Sequence, residues 1–425
     1  MNVVRKLFVF FLIFFFIFAP RLDFNVVIHT GFLSVLLLAA LVAVRQRTLM
    51  FLPKPLVVVA VFFLILAFYH LAIAVFYGNE PIYFFSICIS VVVSVVFGWM
   101  LASYMFTHGA NSNDLIDQLM VVCATTTIVN SSVILVEYIL PEFKFAIESV
   151  LLQMQDGNIN YAEHPFRLRG LASAGGAGLS VANAIAIVFL IYLVINRKLV
   201  GSFALLGAVV VTCSNVFTGR TGLILSLSFT FALLVIVLAQ NFKSGLYGIV
   251  RAASLVIFFS YLLSFLVNFD LDPEVARWAF EWFDGLIAGK LESGSTEDLE
   301  RMLYLPDDPV HLLFGIGFFE GVGNIYPRTD SGYLKTILSI GFPLGILLYY
   351  VIIFMFFRVN KVSSKYFWLV VTVSGVMLLI EVKEPFLYQN FAARMIFLLS
   401  GAAMFILAKR RALAKAIRMN ADHIA

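Results

Sequence analysis

Apolar runs close to twenty residues long recur along this chain from residue 7 to residue 408. Few folds can absorb them. A helix of about 20 apolar residues spans the hydrocarbon core of a bilayer, and a lipid-exposed backbone must satisfy its own hydrogen bonds. A transmembrane barrel would instead show alternating segments of about ten residues. These runs are continuous, and the chain is 62% hydrophobic and only 13% charged. The expected class is therefore an all-α polytopic membrane protein, a single integral membrane domain over 1–425.

Hydropathy places spans at about 7–19, 24–44, 55–77, 82–106, 115–140, 179–196, 199–217, 221–240, 248–268, 332–357, 366–381 and 390–408, about twelve in all. Arg5 and Lys6 precede the first run, and Pro20-Arg21-Leu22-Asp23 does not fit a signal-peptide cleavage site, so that run is expected to be retained. Charge orients the chain. With the N-terminus inside, Arg45, Arg47, Lys54, Arg197, Lys198, Lys243, Arg251, Arg358, Lys361, Lys365, Lys409, Arg410, Arg411, Lys415 and Arg418 all fall on the cytoplasmic side, as the positive-inside rule requires. Both termini are expected in the cytoplasm. Cys88, Cys123 and Cys213 lie within apolar runs and suggest neither a disulfide framework nor a metal cluster.

Two long segments are expected on the outer side, 141–178 and 269–331. The second is the one extended acidic and soluble stretch, and such length argues for a functional loop because connections are usually short. Phe143 to Met154 carries apolar residues at helical spacing and suits an interfacial helix. Pro273 to Ile287 suggests a second one, in which Trp278 and Trp282 fit an anchoring aromatic belt.

Arginines on the disfavoured outer side are the candidates for chemistry, because a guanidinium forks onto phosphate oxygens and stays charged. Arg167 and Arg169 flank Leu168 ahead of Gly170 and the small-residue stretch to Gly178, where a helix begins. Helix starts with exposed amides attract anions; the alternative is a flexible turn whose arginines meet lipid headgroups. Arg220, between Gly219 and Thr221, sits at a membrane boundary, as a functional group or as a snorkelling side chain. Arg277 is close enough to Glu274 and Glu281 for helical pairing. Arg301 precedes His311, and a lone histidine is more often structural than catalytic. Asp330 is the better candidate for a base, although Arg328 nearby offers it an ion pair instead. Gly315-Ile316-Gly317 lacks the βαβ context of a nucleotide fingerprint, and no Walker A, zinc-protease or serine-hydrolase motif is present.

Taken together, Arg167-Leu168-Arg169-Gly170, Thr218-Gly219-Arg220-Thr221-Gly222, Leu313-Phe314-Gly315-Ile316-Gly317 and Asp330-Ser331-Gly332-Tyr333-Leu334, followed by Gly341-Phe342-Pro343-Leu344-Gly345, resemble the O-antigen and exopolysaccharide polymerases (Wzy type) of the O-antigen ligase/polymerase superfamily. Arg167 and Gly178, with ten residues between them, also fit that family's outer-loop spacing. The resemblance covers roughly residues 160 to 350. It implies an inverting, metal-independent glycosyl transfer without a cofactor, at the outer face of the bacterial inner membrane. The substrates implied are undecaprenyl-diphosphate-linked glycans, within membrane lipid, with no nucleic acid involved. A flippase and a chain-length regulator of the same pathway are the implied partners. Arg167, Arg169, Arg220 and Arg328 would hold the diphosphate, and Asp330, His311 and Arg301 would serve the chemistry. Gly170, Gly178, Gly219, Gly315, Gly317 and Tyr333 would shape the backbone around them. Ligases of the same fold typically have a histidine where this chain has Asp330, which favours polymerase over ligase. A transporter is the third reading, weakened by the scarcity of charge at mid-membrane.

Overall fold

Most of the apolar runs fold as helices, because a helix satisfies its own backbone hydrogen bonds in lipid. The computed structural model describes residues 3–23, 27–46, 53–80, 82–108, 114–152, 167–242, 275, 302–319, 325–327 and 329–422. The elements are α1 (Val3–Phe18), a two-stranded antiparallel hairpin of β1 (Arg21–Asp23) and β2 (Val27–His29), α2 (Thr30–Gln46), α3 (Lys54–Tyr77), α4 (Ile82–Thr107), α5 (Leu115–Ile139), α6 (Pro141–Val150), α7 (Ala177–Ile195), α8 (Gly201–Thr218) and α9 (Arg220–Phe242). Then follow α10 (Pro309–Phe314), α11 (Gly332–Ile340), α12 (Phe342–Val362), a 3₁₀ turn (Ser364–Tyr366), α13 (Phe367–Ile380) and α14 (Asn390–Asp422). Among the described residues, eight helices are long and apolar enough to cross a membrane: α3, α4, α5, α7, α8, α9, α12 and α14. The chain is thus an α-helical, multi-pass membrane protein.

Three boundaries differ from the hydropathy reading. The apolar run at 24–44 begins with the hairpin, and its helix starts only at Thr30, whose hydroxyl donates to Pro20 O at 2.7 Å. The run at 332–357 is not one helix. It breaks at Gly341, whose φ of +80° disfavours other residues and whose added Cβ would lie 2.1 Å from Leu313 O. Pro343, lacking an N–H, then opens α12 without loss. The last helix continues well past 408 to Asp422. Within the segment from Phe143 to Met154, whose spacing predicts a helix, the helix is α6, which begins at Pro141 and ends at Val150. The apolar run at 248–268 and the Pro273 to Ile287 segment lie outside the described residues, apart from Val275, which is helical and buried.

The chain divides into two compact units. One comprises 35–116 and 294–425. Its central crossing pairs α4 with α14 through facing glycines. A Cβ on Gly98 would lie 2.2 Å from Leu398 O, and one on Gly401 would lie 2.1 Å from Val95 O. Helices gain no hydrophobic drive toward each other in lipid, so close backbone approach through small residues is what joins them. Helix α3 ends on Gly78 in the left-handed region, with the N–H of Asn79 reaching back to Ala74 O at 2.8 Å. That cap aims Asn79 Nδ2 at Ile316 O, 2.8 Å away.

The other unit comprises 3–34 and 117–293. Helix α7 is buried on nearly every face and packs with α8 and α9 around Ile187, Leu190, Leu205, Ala208, Leu233 and Val237. Polar groups reinforce the packing. Asn183 Nδ2 donates to Asn215 Oδ1 at 2.9 Å, and Asn215 Nδ2 reaches Ser180 O and Gly222 O, both at 3.2 Å. A Cβ on Gly222 would sit 2.2 Å from the Ser180 backbone, so α9 lies directly against α7 there.

Candidate functional site

The segment Arg167–Gly176 is held from several sides. Leu168 N donates to Phe217 O at 2.8 Å, Ser173 N to Phe18 O at 2.9 Å, and Leu171 N to Asn130 Oδ1 at 2.9 Å. Asn130 also donates to Arg169 O at 3.3 Å, and Gly170 N donates to Glu137 Oε2 at 3.1 Å. Gly170 has φ +59°, and its Cα faces Asn130 so closely that a Cβ would meet Oδ1 at 2.8 Å. Only glycine suits both constraints.

Arg169 is almost wholly buried. Its Nε donates to Glu148 Oε1 at 3.0 Å and its Nη2 to Glu148 Oε2, while Nη1 donates to Leu152 O at 3.3 Å and to Ser173 O at 3.2 Å. Four of the five guanidinium N–H groups are thereby engaged. The carboxylate comes from α6, 21 positions earlier in the chain, so scanning the residues after Arg169 for an acid does not find it. With its fork occupied by Glu148, Arg169 fixes the loop. Lys144, one turn before Glu148, has a lowered pKa because burial penalises its charge, an effect the Glu148 and Glu137 carboxylates oppose.

Arg167 contrasts with its neighbour. It is half-exposed and holds φ +67°, an unusual conformation for a residue with a Cβ. Arg220 is also half-exposed, at the first position of α9, directly after the turn that closes α8. The Leu168–Phe217 hydrogen bond joins the two segments, so both arginines belong to one loop-and-turn junction. Gly219 packs against Ser180 and Gly176 O, and Gly178 is buried in the first turn of α7. Among the described residues, a Cβ at Gly176 would meet nothing within 4 Å.

A second cluster lies in the other unit, around Asp330. Asp330 is half-exposed just before α11. Thr329 Oγ1 donates to Met302 O at 3.0 Å and accepts from Ser331 N at 3.2 Å, and Gly332 N donates to Glu381 O at 2.9 Å. Beneath lies a polar knot. Glu381 Oε1 accepts from Tyr349 Oη at 3.0 Å, Glu381 Oε2 accepts from Leu387 N at 2.8 Å, and Thr336 Oγ1 is 2.6 Å from Tyr388 Oη and 2.8 Å from Tyr349 Oη. A Cβ on Gly332 would lie 2.7 Å from Glu381 Oε1, so only glycine fits over the knot. Tyr333 points elsewhere, donating to Leu378 O at 2.6 Å.

His311 stands on α10 with both ring nitrogens facing polar neighbours: Nδ1 is 3.0 Å from Tyr326 Oη, and Nε2 is 3.7 Å from Asp308 Oδ2. Its ring meets Tyr77 edge-on at 5.3 Å. Tyr304 stacks on Tyr326 and donates to Pro327 O at 2.6 Å; burial and the neighbouring Tyr326 push its phenol up to about 12. Gly315 and Gly317, with φ +75° and +68°, serve packing, since a Cβ would lie 2.7 Å from Gly341 N and 2.3 Å from the Ala74 backbone respectively. Arg301 and Arg328 lie outside the described residues.

Several polar residues in these clusters escape a motif search: Glu137, Glu148, Asn130 and Glu381, all buried. Glu137 and Glu381 stand at the ends of apolar runs and Asn130 within one, positions where a polar group marks a functional or network role by default. Comparison with protein-family models, curated proteins and solved structures returns no match.

Proposed function

We propose that this protein is a membrane-embedded glycosyltransferase that polymerises oligosaccharide repeat units carried on undecaprenyl diphosphate. The observation that carries the reading is the Leu168–Phe217 hydrogen bond, because it ties the backbone next to the half-exposed Arg167 to the end of α8, three residues before the half-exposed Arg220. In such a transfer the bond from the sugar C1 to the diphosphate breaks, and the leaving oxygens gain charge. Fixed guanidinium forks and helix-start amides stabilise that charge where a bound metal would do so elsewhere. Arg169 would act through Glu148, by holding the loop. Arg301 and Arg328 complete the proposed set of arginines, and Asp330 would take the proton of the acceptor hydroxyl. A flippase supplying repeat units and a chain-length regulator are the proposed partners.

The reading carries about twelve spans, both termini in the cytoplasm, and 269–331 outside the inner membrane. Reporter fusions at Ser293 and Met419 are expected to report opposite sides; the same side for both removes that topology. The function itself is tested by deleting the chain in its host and resolving lipid-linked and surface glycans on gels. Single-repeat product is the expected result. Full-length lipid-linked polymer that fails to reach its acceptor would point to a ligase.

A further inference from the structure

At the opposite extreme of the sequence's charge pattern, three cations border one cavity. It measures about 250 Å³ and is lined by Lys54 and Pro55 at the start of α3, Arg358 near the end of α12, and Met404, Leu407, Ala408 and Arg411 on α14. No carboxylate lines it, and among the described residues no acid pairs with Lys54, Arg358 or Arg411. One face of the Arg358 guanidinium lies 4.8 Å from the Phe354 ring, yet among the described residues its buried Nε–H has no hydrogen-bond acceptor. A buried donor without a partner is costly, and three like charges around a shared space repel. The neighbouring Arg410 is differently placed, since its Nη1 caps α12 by donating to Val362 O at 2.7 Å.

We propose that this cavity binds a phosphate-bearing anion, the headgroup of an anionic phospholipid, with Lys54, Arg358 and Arg411 as its ligands. Its size suits a headgroup rather than a whole lipid, whose chains would continue along the membrane-facing helices. Pro55, Met404, Leu407 and Ala408 supply an apolar floor beside the charges, a combination that a freely hydrated ion does not need. Basic pockets between helices on the cytoplasmic side are the expected place for such recognition, and the charge bias assigns this end of the helices to that side. The inference is independent of the enzymatic reading.

The test uses the purified full chain in neutral detergent, with lipid binding followed by native mass spectrometry. Dioleoyl-phosphatidylglycerol is expected to bind at least about tenfold more tightly than dioleoyl-phosphatidylcholine. That preference should disappear in the double variant Lys54→Gln/Arg411→Gln, whose changed side chains are exposed, and weaken in Arg358→Gln. The control Lys415→Gln/Arg418→Gln, on the exposed end of the same helix, should retain it. Displacement of phosphatidylglycerol by millimolar inorganic phosphate would assign the site to free phosphate; resistance would assign it to the lipid. Equal binding of the two lipids, or equal loss in the pocket and control variants, would overturn the proposal.

Discussion

Arg169 and Glu148 form a buried, two-pronged ion pair that ties the small helix α6 to the Gly170 turn. Removing either partner strands the other charge in an apolar surround, which typically costs about 3–5 kcal/mol. Arg169→Ala and Glu148→Ala are each expected to lower the thermal midpoint in detergent, and the double variant should lose much less than the sum of the two. Arg169→Lys should fail to rescue, since an ammonium cannot reproduce the fork. Additive losses in the double-mutant cycle would show that the two side chains act separately.

Arg167 separates stability from activity. Its left-handed backbone disfavours a residue with a Cβ by roughly 1–2 kcal/mol. Arg167→Gly relieves that strain while deleting the cation, so the variant should melt no lower than the parent. On the proposed function it should nevertheless yield single-repeat product, as should Arg220→Ala. Normal polymer from both variants would return these arginines to headgroup contacts.

Asp330 and His311 make rival predictions for proton transfer. His311 has polar neighbours at both ring nitrogens, and Asp330 stands half-exposed beside Thr329 and Ser331, which hydrogen-bond to each other just before α11. Asp330→Asn keeps the shape but abolishes basicity, and losing a positioned base costs on the order of 10²–10⁴ in rate. The variant is expected to insert and fold while failing to polymerise. Normal polymer from Asp330→Asn together with failure of His311→Ala would transfer the role to His311.

The α4–α14 crossing tolerates no added methyl. Gly98→Ala or Gly401→Ala would push a Cβ to 2.2 or 2.1 Å from a facing carbonyl oxygen, so the helices must separate. Each is expected to destabilise by more than the 1–3 kcal/mol usual for overpacking, because backbone rather than a movable side chain is struck. Gly375→Ala is the matched control, since its Cβ would meet nothing within 4 Å. Equal melting of Gly98→Ala and Gly375→Ala would contradict the close crossing.

Much of this molecule is written locally. The apolar runs define the membrane-crossing helices, because run length and bilayer thickness are matched by a physical constraint that needs no partner. The helical spacing from Phe143 points to α6, and the small-residue stretch from Gly170 to Gly178 ahead of a helix is legible before any coordinate is known. The break at Gly341-Phe342-Pro343 escapes hydropathy, which averages over these three residues and reads one span. Tertiary structure alone decided which polar groups meet. Arg167 and Arg169 are indistinguishable in sequence, two residues apart in one motif. The fold turns one inward onto Glu148 and leaves the other half-exposed beside the Arg220 turn. Glu381 likewise reads as the polar end of an apolar run, and only packing brings Tyr349, Leu387 and Gly332 onto it. Periodicity fixes which residues share a helix, whereas ion pairs and buried networks depend on contacts between helices far apart in the chain, which no local spacing encodes.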